Sequence, residues 1–422
     1  SYPLQPEILD YLRECSKHFG VRDRIRFGCE LIEAAWREDS QRWEIETSTG
    51  ALSARMLVAA PGLLSEPRIP ELPGLERFEG AVFHSARWDH DVDLTGKRVA
   101  VIGTGASAIQ FVPEIAPKVD DLILFQRTAP WVMPKPDHAI APWAQRVFAR
   151  IPGTQRGYRH LLYWLNEVRA VGFNGHQNIL KYASKLVAWN IRRSVRDPEL
   201  AAKLTPDYVM GCKRVLVSND YYQTFNRDNV HLDTDGVAEV REHSIVGRDG
   251  REHEVDAIIY GTGFHVTDAF DYLDVIGRDG RDLAKQWRED GINTHLGITV
   301  SGFPNLFFML GPNTGLGHNS MVFMIESQIR YVAEAMRMVA RNGADALDVR
   351  RSAQDEFNRD VQAKLADGVW TQGGCTSWYL DSKGVNRTVW PGFTWRYWMR
   401  TRKVDESAFE LISHTPRLTR SA

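Results

Sequence analysis

The chain has 422 residues, of which 43% are hydrophobic and 25% are charged, and its formal net charge is −2. This length allows two or three domains with buried cores, and the composition is typical of a folded globular protein. A chain so close to neutrality creates no strong electrostatic field, so neither a nucleic acid nor an anionic membrane is an expected partner.

The first 70 residues combine one helix with short strands. From Gln5 to Phe19 the apolar side chains recur at helical spacing, whereas Ile25–Phe27 and Trp43–Thr47 alternate as strands do. The mostly apolar run Ala54–Ala60 predicts a further strand, and a proline-rich linker follows it.

The next unit has the order strand, glycine-rich turn, helix, strand. The apolar strand Lys97–Ile102 precedes the turn, and Leu122–Phe125 is the second strand. The turn and the start of the helix contain Gly103, Thr104, Gly105, Ala106, Ser107, Ala108 and Gln110. The first glycine permits a tight turn, the second lets a pyrophosphate approach the backbone, and the small Ala108 allows the helix to pack closely. Because a helix N-terminus offers free N–H groups to phosphates, this unit predicts a dinucleotide site.

The residues after the second strand indicate NADPH rather than NADH. Sites for NAD carry an acidic residue at this point, which binds the ribose 2′-hydroxyl. This chain has Gln126, Arg127 and Thr128 there. A guanidinium can contact a 2′-phosphate through two hydrogen bonds. The alternative is a surface arginine at a strand end, without a ligand.

From about residue 140 to residue 208 the pattern is helical and rich in aromatic residues, which predicts an inserted helical subdomain. Apolar strands resume at Val230–Leu232, Ala257–Tyr260 and Leu306–Leu310. A long helix is expected over Met321–Asn342, and the stretch from Trp370 onward is expected to form ordered loops and short strands.

The cysteine and hydropathy patterns indicate a cytoplasmic protein. Cys15, Cys29, Cys212 and Cys375 lie far apart without a Cys-x-x-Cys pair, so we expect neither a disulfide framework nor a metal site. A reducing compartment fits this pattern. No apolar run approaches the roughly 20 residues that cross a bilayer, and we find no signal peptide at the start of the sequence.

The stretch Phe78–Asp89 resembles the fingerprint of the Baeyer–Villiger monooxygenases, a type of class B flavin-dependent monooxygenase. That fingerprint reads Phe-x-Gly-x-x-x-His-x-x-x-Trp-Pro/Asp, and the positions that match it are Phe78, Gly80, His84, Trp88 and Asp89. In the family it stands between the FAD domain and the NADPH domain, which agrees with its place just before the dinucleotide unit. Further similar segments extend the resemblance over nearly the whole chain.

The resemblance implies roles for several residues. Cys212-Lys213-Arg214 resembles the start of the active-site loop, in which Arg214 is catalytic and Lys213 helps to hold the 2′-phosphate. Gly311, Asn313 and Met321 resemble the flavin-facing turn, and Trp378 resembles a tryptophan that contacts NADPH. His84 and Trp88 would hold the linker as the NADPH domain moves. From the residues alone, the basic pair could instead be a solvated loop, and the three aromatic residues could serve packing only.

The fold that the resemblance implies is α/β, with a Rossmann-like NADPH domain that carries a helical insertion, plus a partial FAD-binding α/β domain. Residues 1–70 would form the partial FAD-binding domain, 71–255 the NADPH-binding domain with its insertion at about 140–208, and 256–422 a return to the FAD-binding domain with the C-terminal region. The implied reaction inserts one oxygen of O2 into a ketone through a C4a-peroxyflavin, with FAD and NADPH as cofactors. Oxygenation of nitrogen or sulfur is the alternative within the enzyme class.

The first Gly-x-Gly-x-x-Gly unit, which cradles FAD in the family, has no counterpart in this sequence. Three explanations are open: the sequence is a piece of a longer protein, a second chain completes the FAD site, or the chain is a flavin-less NADPH-binding remnant or subunit without its own catalysis. The expected partners are a ketone or related small molecule, O2 and, under the second explanation, another chain.

Overall fold

The computed structural model describes residues 2–266 and 274–413. Its strands are β1 (Leu31–Arg37), β2 (Arg42–Thr47), β3 (Gly50–Ala54), β4 (Leu57–Ala59), β5 (Ala81–His84), β6 (Arg98–Ile102), β7 (Asp121–Phe125), β8 (Val132–Met133), β9 (Leu216–Val217), β10 (Val230–Asp233), β11 (Val237–Val240), β12 (Ser244–Gly247), β13 (Glu252–Glu254), β14 (Ala257–Tyr260), β15 (Asp274–Ile276), β16 (Leu306–Phe308), β17 (Ala346–Val349) and β18 (Phe409–Ile412). Its helices are α1 (Gln5–His18), α2 (Ala108–Ile115), α3 (Pro142–Arg150), α4 (Thr154–Phe173), α5 (Gln177–Ser194), α6 (Pro198–Lys203), α7 (Tyr221–Thr224), α8 (Leu283–Asp290), α9 (Met321–Arg341), α10 (Arg351–Ala366), α11 (Val369–Gln372) and α12 (Thr394–Arg400).

The centre of the fold is a parallel five-stranded sheet in the order β10-β7-β6-β14-β5. Its middle strand β6 is almost wholly apolar, and Val99, Ala100 and Val101 are buried. Strands that are covered on both faces have this continuous apolar pattern. Helix α2 connects β6 to β7 and packs Ile109 and Val112 into the core.

Residues from the two ends of the chain share a second α/β layer. A four-stranded sheet has the order β15-β1-β2-β3, and β4 pairs in parallel with β16. The Trp43 indole is fully buried and donates to the Pro304 carbonyl oxygen at 2.8 Å. The Asn305 amide donates to the carbonyl oxygens of Arg55 and Asp345 at 2.8 and 3.1 Å. The contacts with Trp43 and Arg55 join segments 250 or more residues apart. The α/β fold class with Rossmann-type parallel strands is confirmed.

Most predicted elements are present. The predicted strand at Ile25–Phe27 is wrong, because this segment forms an exposed turn that pairs with no strand in the described part of the chain. The strand at Leu306 ends at Phe308, since Leu310 adopts a positive φ of 53° that an extended strand does not allow. The stretch after Trp370 contains helix α12 and part of α11 as well as the expected loops and strand.

The expectation that no cysteines pair is wrong for Cys212 and Cys375, which form a disulfide across 163 residues of sequence. The backbone N–H of Val209 donates to the Gly373 carbonyl oxygen at 3.1 Å and holds the two segments side by side. Cys15 and Cys29 are free. Sequence spacing could not show this pair, because the fold alone brings the segments together.

Among the described residues, none of the helices combines the length and the apolar character that crossing a bilayer requires.

The Cys212–Cys375 bond should contribute to stability, because it closes a long loop in the unfolded chain. We expect Cys375→Ser, or reduction with dithiothreitol, to lower the free energy of unfolding by about 2–4 kcal/mol in urea titrations. Cys29→Ser is the matched control and should leave the stability nearly unchanged. Titration of four reactive thiols in the untreated folded protein would contradict the bond.

Candidate active site

The glycine-rich turn after β6 lies against the turn after β14. Gly103 has a φ of 105°, and a Cβ there would lie 2.5 Å from the Gly261 carbonyl oxygen. The Gly261 N–H donates to the Ile102 carbonyl oxygen at 2.9 Å. Gly105 is exposed, and a Cβ there would meet only the Gly261 oxygen, at 3.8 Å. Gly103 therefore serves close backbone packing, whereas Gly105 leaves the backbone open to solvent or a ligand.

The N-terminus of α2 is not capped by a side chain. Ser107 is the N-cap residue and its hydroxyl makes no capping hydrogen bond. The Thr104 hydroxyl donates to the Thr128 carbonyl oxygen at 3.1 Å and ties the turn to the end of β7. The side chain of Gln110 donates back to the Ala106 carbonyl oxygen at 2.6 Å. The uncapped turn and the positive end of the helix dipole suit a phosphate group.

Arg127 follows β7 beside this turn, and its charge reaches Lys213, although the two residues are distant in sequence. Burial lowers the pKa of Lys213, the positive charge of Arg127 lowers it further, and Asp207 acts in the opposite direction. The Lys213 Nζ lies 5.1 Å from the centre of the Tyr208 ring. Arg127 is exposed at the end of β7. The positive charges of Arg127 and Lys213 repel each other. An anionic group between them, such as a phosphate, would relieve this repulsion.

Arg214 and the C-terminal segment meet at the disulfide. Arg214 is exposed and lies two residues after Cys212. Burial raises the pKa of Tyr379, and the positive charge of Arg214 lowers it. The exposed Trp378 ring lies 4.4 Å from the Tyr379 ring. The disulfide therefore brings the segment of Lys213 and Arg214 to the segment of Trp378.

The turn from Gly311 to Asn313 is held by buried hydrogen bonds. Asn313 has a φ of 56°, and its amide donates to the carbonyl oxygens of Asn386 and Val389 at 3.0 and 3.2 Å. A Cβ on Gly311 would strike the carbonyl oxygen of Gly297. Met321, half-buried, is the first residue of α9.

No hydrogen bond or ion pair between described residues joins the turn from Gly311 to Asn313 to Arg214. The turn from Gly311 to Asn313, which is the flavin-facing part of the predicted site, is therefore supported by its own hydrogen bonds and not by Arg214.

The fingerprint residue His84 lies where two chain segments cross. His84 is buried at the end of β5, and its Nδ1 accepts from the Ala86 N–H at 3.1 Å. Burial lowers the His84 pKa, while the Gly263 carbonyl oxygen acts in the opposite direction. The His84 ring lies 5.6 Å from the Phe264 ring.

The two crossing segments pair with each other. The Arg68 N–H donates to the Gly263 carbonyl oxygen, and the His265 N–H donates to the Glu66 carbonyl oxygen, both at 2.9 Å. His84 therefore packs on the Gly263–Phe264 segment, which pairs with Glu66–Arg68, and the two segments belong to the connections between the parallel sheet and the second α/β layer.

The remaining fingerprint residues pack against the dinucleotide unit or face solvent. Trp88 lies between Phe83 and Phe111 of α2, at ring distances of 5.1 and 5.4 Å. A Cβ on Gly80 would strike the Asp256 carbonyl oxygen and the Phe78 ring. Asp89 is exposed and accepts only from the Asp91 N–H at 3.0 Å among the described residues.

Sequence reasoning missed a buried carboxylate, Glu167 of α4. Its oxygens accept from the Asn319 amide at 2.6 Å, from the Thr394 hydroxyl at 2.5 Å and from the Thr394 N–H at 3.1 Å. The His318 Nε2 lies 3.7 Å away. Burial raises the pKa of Glu167, but the nearby His318 ring and the hydrogen bonds from Thr394 and Asn319 outweigh it and hold the pKa below its usual value.

The Glu167 cluster joins the helical insertion, the loop before α9 and the start of α12. One signal in the sequence could have found it. Glu167 lies four residues after Tyr163 and three before Ala170, both of which face the interior, and it is the only acidic residue between positions 139 and 196. A single carboxylate in an inward-facing register of a basic helix indicates a buried, paired group.

Comparisons with known proteins find relatives that match nearly the whole chain. The family model for flavin-binding monooxygenase-like proteins matches residues 2–276. A Baeyer-Villiger monooxygenase of Streptomyces coelicolor is 47% identical over 413 residues, which cover 98% of this chain and 79% of that protein. A Baeyer-Villiger monooxygenase of Pseudomonas aeruginosa is 48% identical over 411 residues, which cover 97% of this chain and 78% of that protein.

Solved structures with the same fold include cofactor complexes. Cyclohexanone monooxygenase from Rhodococcus sp. Phi1 bound to NADP+ superposes with a TM-score of 0.88 at 28% identity, covering 98% of this chain and 85% of that one. An oxidized steroid monooxygenase bound to NADP superposes with a TM-score of 0.86 at 31% identity, covering 98% and 86% of the two chains.

The two glycines of the turn should respond differently to an added methyl group. Gly103→Ala should lower the free energy of unfolding by about 1–3 kcal/mol, because its Cβ meets the Gly261 backbone. Gly105→Ala should fold normally and weaken NADPH binding only. Urea unfolding and NADPH titration by fluorescence measure the two effects, and equal stability of the two variants would contradict the packing argument.

Proposed function

The chain belongs to the flavin-binding monooxygenase-like family, and we propose that it inserts one oxygen atom of O2 into a ketone, with FAD and NADPH as cofactors. The overall reaction converts ketone, O2, NADPH and a proton to ester or lactone, NADP+ and water. The observation that carries the proposal is the uncapped glycine turn with Arg127 beside it, whose charge reaches Lys213 in the loop of Arg214.

Each part of this site has a task in the proposed reaction. The N–H groups at the start of α2 bind the pyrophosphate of NADPH, and Arg127 with Lys213 binds the 2′-phosphate. Trp378 covers the nicotinamide end. When bound, NADPH supplies the electrons and FAD activates O2.

Arg214 stabilises the negative charge that develops on the carbonyl oxygen of the ketone. A guanidinium is suited to this because it stays charged at any working pH and presents several donors in a plane. In our proposal Lys213 anchors the cofactor while its neighbour Arg214 faces the reacting groups, so one short loop couples cofactor binding to the chemistry. The bond from Cys212 to Cys375 supports the loop from its other side.

The flavin has a partial fit. Gly311, Asn313 and Met321 lie on or beside a rigid, hydrogen-bonded turn that can support a flavin ring. The proposal also needs a cradle for the FAD pyrophosphate, which we do not find among the motifs of this sequence. The relatives are longer than the chain, and a second chain as the source of the cradle has no support in the comparisons.

The domain boundaries near residues 70 and 255 stay part of the proposal. The pairing of Glu66–Arg68 with Gly263–His265 supports two connections close to these points, and His84 packs on Phe264 of the second. In this arrangement His84 and Trp88 hold the linker as the NADPH domain moves. The cytoplasm stays a prediction, and the disulfide does not support it, because cytoplasmic thiols are mostly reduced.

An absorption spectrum tests the proposal first. The purified protein is incubated with FAD, desalted and scanned, and a retained flavin band with ketone-dependent NADPH oxidation supports the monooxygenase. A colourless protein that binds NADPH supports the alternative of an NADPH-binding chain without its own catalysis. A panel of ketone, sulfide and amine substrates distinguishes ester formation from oxygenation at sulfur or nitrogen.

Arg127→Ala should remove the preference for NADPH. We expect its KM for NADPH to rise about 10- to 100-fold, the effect of one lost charge-assisted hydrogen-bonded contact, while the KM for NADH stays nearly constant. Steady-state kinetics with both cofactors measures this, and Arg127→Lys is the control that keeps the charge. An equal rise for both cofactors would place Arg127 outside the 2′-phosphate site.

Arg214→Ala should reduce product formation about 100- to 1,000-fold and leave NADPH binding largely intact, because the lost donor acts on the reacting oxygen. Product is measured by gas chromatography and NADPH binding by fluorescence titration. Arg248→Ala, a change at another exposed arginine, is the control. Unchanged product formation in Arg214→Ala would remove Arg214 from the catalytic role.

A further inference from the structure

The helical insertion carries a concentrated positive charge that the near-neutral net charge of the chain conceals. Between positions 139 and 196 the sequence has ten Lys or Arg residues and one acidic residue, Glu167. The basic residues are Arg146, Arg150, Arg156, Arg159, Arg169, Lys181, Lys185, Arg192, Arg193 and Arg196. All ten are exposed, whereas Glu167 is buried. Within the described part of the chain, none of the ten forms an ion pair.

Helix α5 combines this charge with an exposed apolar stripe. Ile179, Tyr182, Leu186 and Trp189 follow one another at spacings of three, four and three residues, which place them on one face of a helix. Their side chains are between 54% and 66% exposed. The Arg193 guanidinium lies 5.5 Å from the Trp189 ring, so a cation stands at the end of the stripe.

The opposite side of α5 already supplies the core contacts of this helix, through the buried residues Leu180, Val187 and Ile191. The exposed stripe is therefore a second apolar face, which packing within the described chain does not use.

Helix α4, which packs against α5, has a similar exposed face. Its exposed apolar residues are Tyr158, Leu161, Leu162, Trp164, Leu165 and Val168. Most of them recur at spacings of three or four, so they form a broad stripe rather than scattered contacts. Exposed apolar areas of this extent mark interaction sites on globular proteins.

We propose that this basic aromatic surface, formed by the exposed faces of α4 and α5, docks onto an anionic phospholipid bilayer. Tyr and Trp rings are favoured at the boundary between headgroups and acyl chains. Helices with Lys and Arg beside an apolar face lie in that boundary, with their cationic heads at the lipid phosphates. The cations add attraction to an anionic leaflet.

The positive charge and the apolar side chains of this surface argue against two other partners, a second copy of the chain and a nucleic acid. A second copy of this chain would bring like charges face to face, because every exposed charge of the surface is positive. A nucleic acid would satisfy the cations but would leave the leucine and isoleucine side chains without an apolar partner. The proposal does not depend on the reaction that the protein catalyses.

Vesicle sedimentation tests the proposal directly. The 422-residue protein is mixed with vesicles of phosphatidylcholine alone, or of phosphatidylcholine with phosphatidylglycerol at a ratio of about seven to three, at low and high salt. We expect binding to the anionic vesicles, with a shift of tryptophan emission to shorter wavelength, and weaker binding at high salt. Equal binding to both vesicle types would overturn the proposal.

Paired substitutions separate the contributions of charge and of apolar surface. Arg192→Gln with Arg193→Gln should weaken binding about 30-fold, as expected for two cations at an anionic surface. Tyr182→Ser with Trp189→Ser should also weaken it at least tenfold. The matched control is Arg359→Gln with Lys364→Gln on α10, which removes two exposed cations elsewhere and should leave binding unchanged.

Two further measurements test whether a second copy of this chain or a nucleic acid binds the surface instead. Circular dichroism verifies that each variant is folded, which is expected because the changed side chains are exposed. Light scattering that shows a dimer, lost on the Tyr182 and Trp189 substitutions, would assign the surface to a second copy. Binding of duplex DNA that is as tight as vesicle binding, and is unaffected by those two substitutions, would assign it to a polyanion. Either result overturns the lipid proposal.

Discussion

The contact between the backbones of Gly103 and Gly261 is the constraint on which the rest of the site depends. Any side chain on Gly103 would meet the Gly261 carbonyl oxygen, so the ends of β6 and β14 can approach only because both turns are glycine-rich. That approach fixes the start of α2, whose uncapped N-terminus belongs to the proposed cofactor site. It also fixes Gly263 and Phe264, on which His84 rests. One steric requirement therefore positions the glycine-rich turn, for which we propose phosphate binding, and one connection between the two α/β layers.

Two links outside the parallel sheet hold the loops of the proposed site. One is the buried carboxylate of Glu167 and the other is the Cys212–Cys375 disulfide. Glu167 accepts hydrogen bonds from Asn319 and Thr394, so the helical insertion, the loop before α9 and the start of α12 share one buried carboxylate. The Cys212–Cys375 bond joins the loop of Arg214 to the segment of Trp378 in the same manner. Removing a partner from a buried charged group is costly, so the cluster at Glu167 makes the three segments cooperative. Arg214, for which we propose a catalytic role, is exposed, and the disulfide gives its loop a defined position.

The distribution of charge matters more in this protein than its sum. The pair of Arg127 and Lys213 is a local concentration of positive charge suited to a phosphate. The helical insertion is a larger one, with ten exposed cations and a single buried acid. Acidic residues elsewhere in the chain balance both groups of cations, so the net charge of −2 conceals them. Electrostatic interactions are screened within about 10 Å, so a partner senses the local surface rather than the whole chain.

The sequence by itself determined the elements whose physics is local. The apolar run of β6, the glycine turn and the periodicity of α2 lie within about 20 consecutive residues, and each is set by backbone geometry and burial. Arg127 and Lys213-Arg214 could be named because they occupy fixed places in short motifs. The tertiary structure alone decided the pairing of Cys212 with Cys375, the donors around Glu167 and the crossing of the two linkers at His84. These contacts join residues up to about 230 positions apart, and a one-dimensional pattern carries no record of which distant segments the packing of the core brings together.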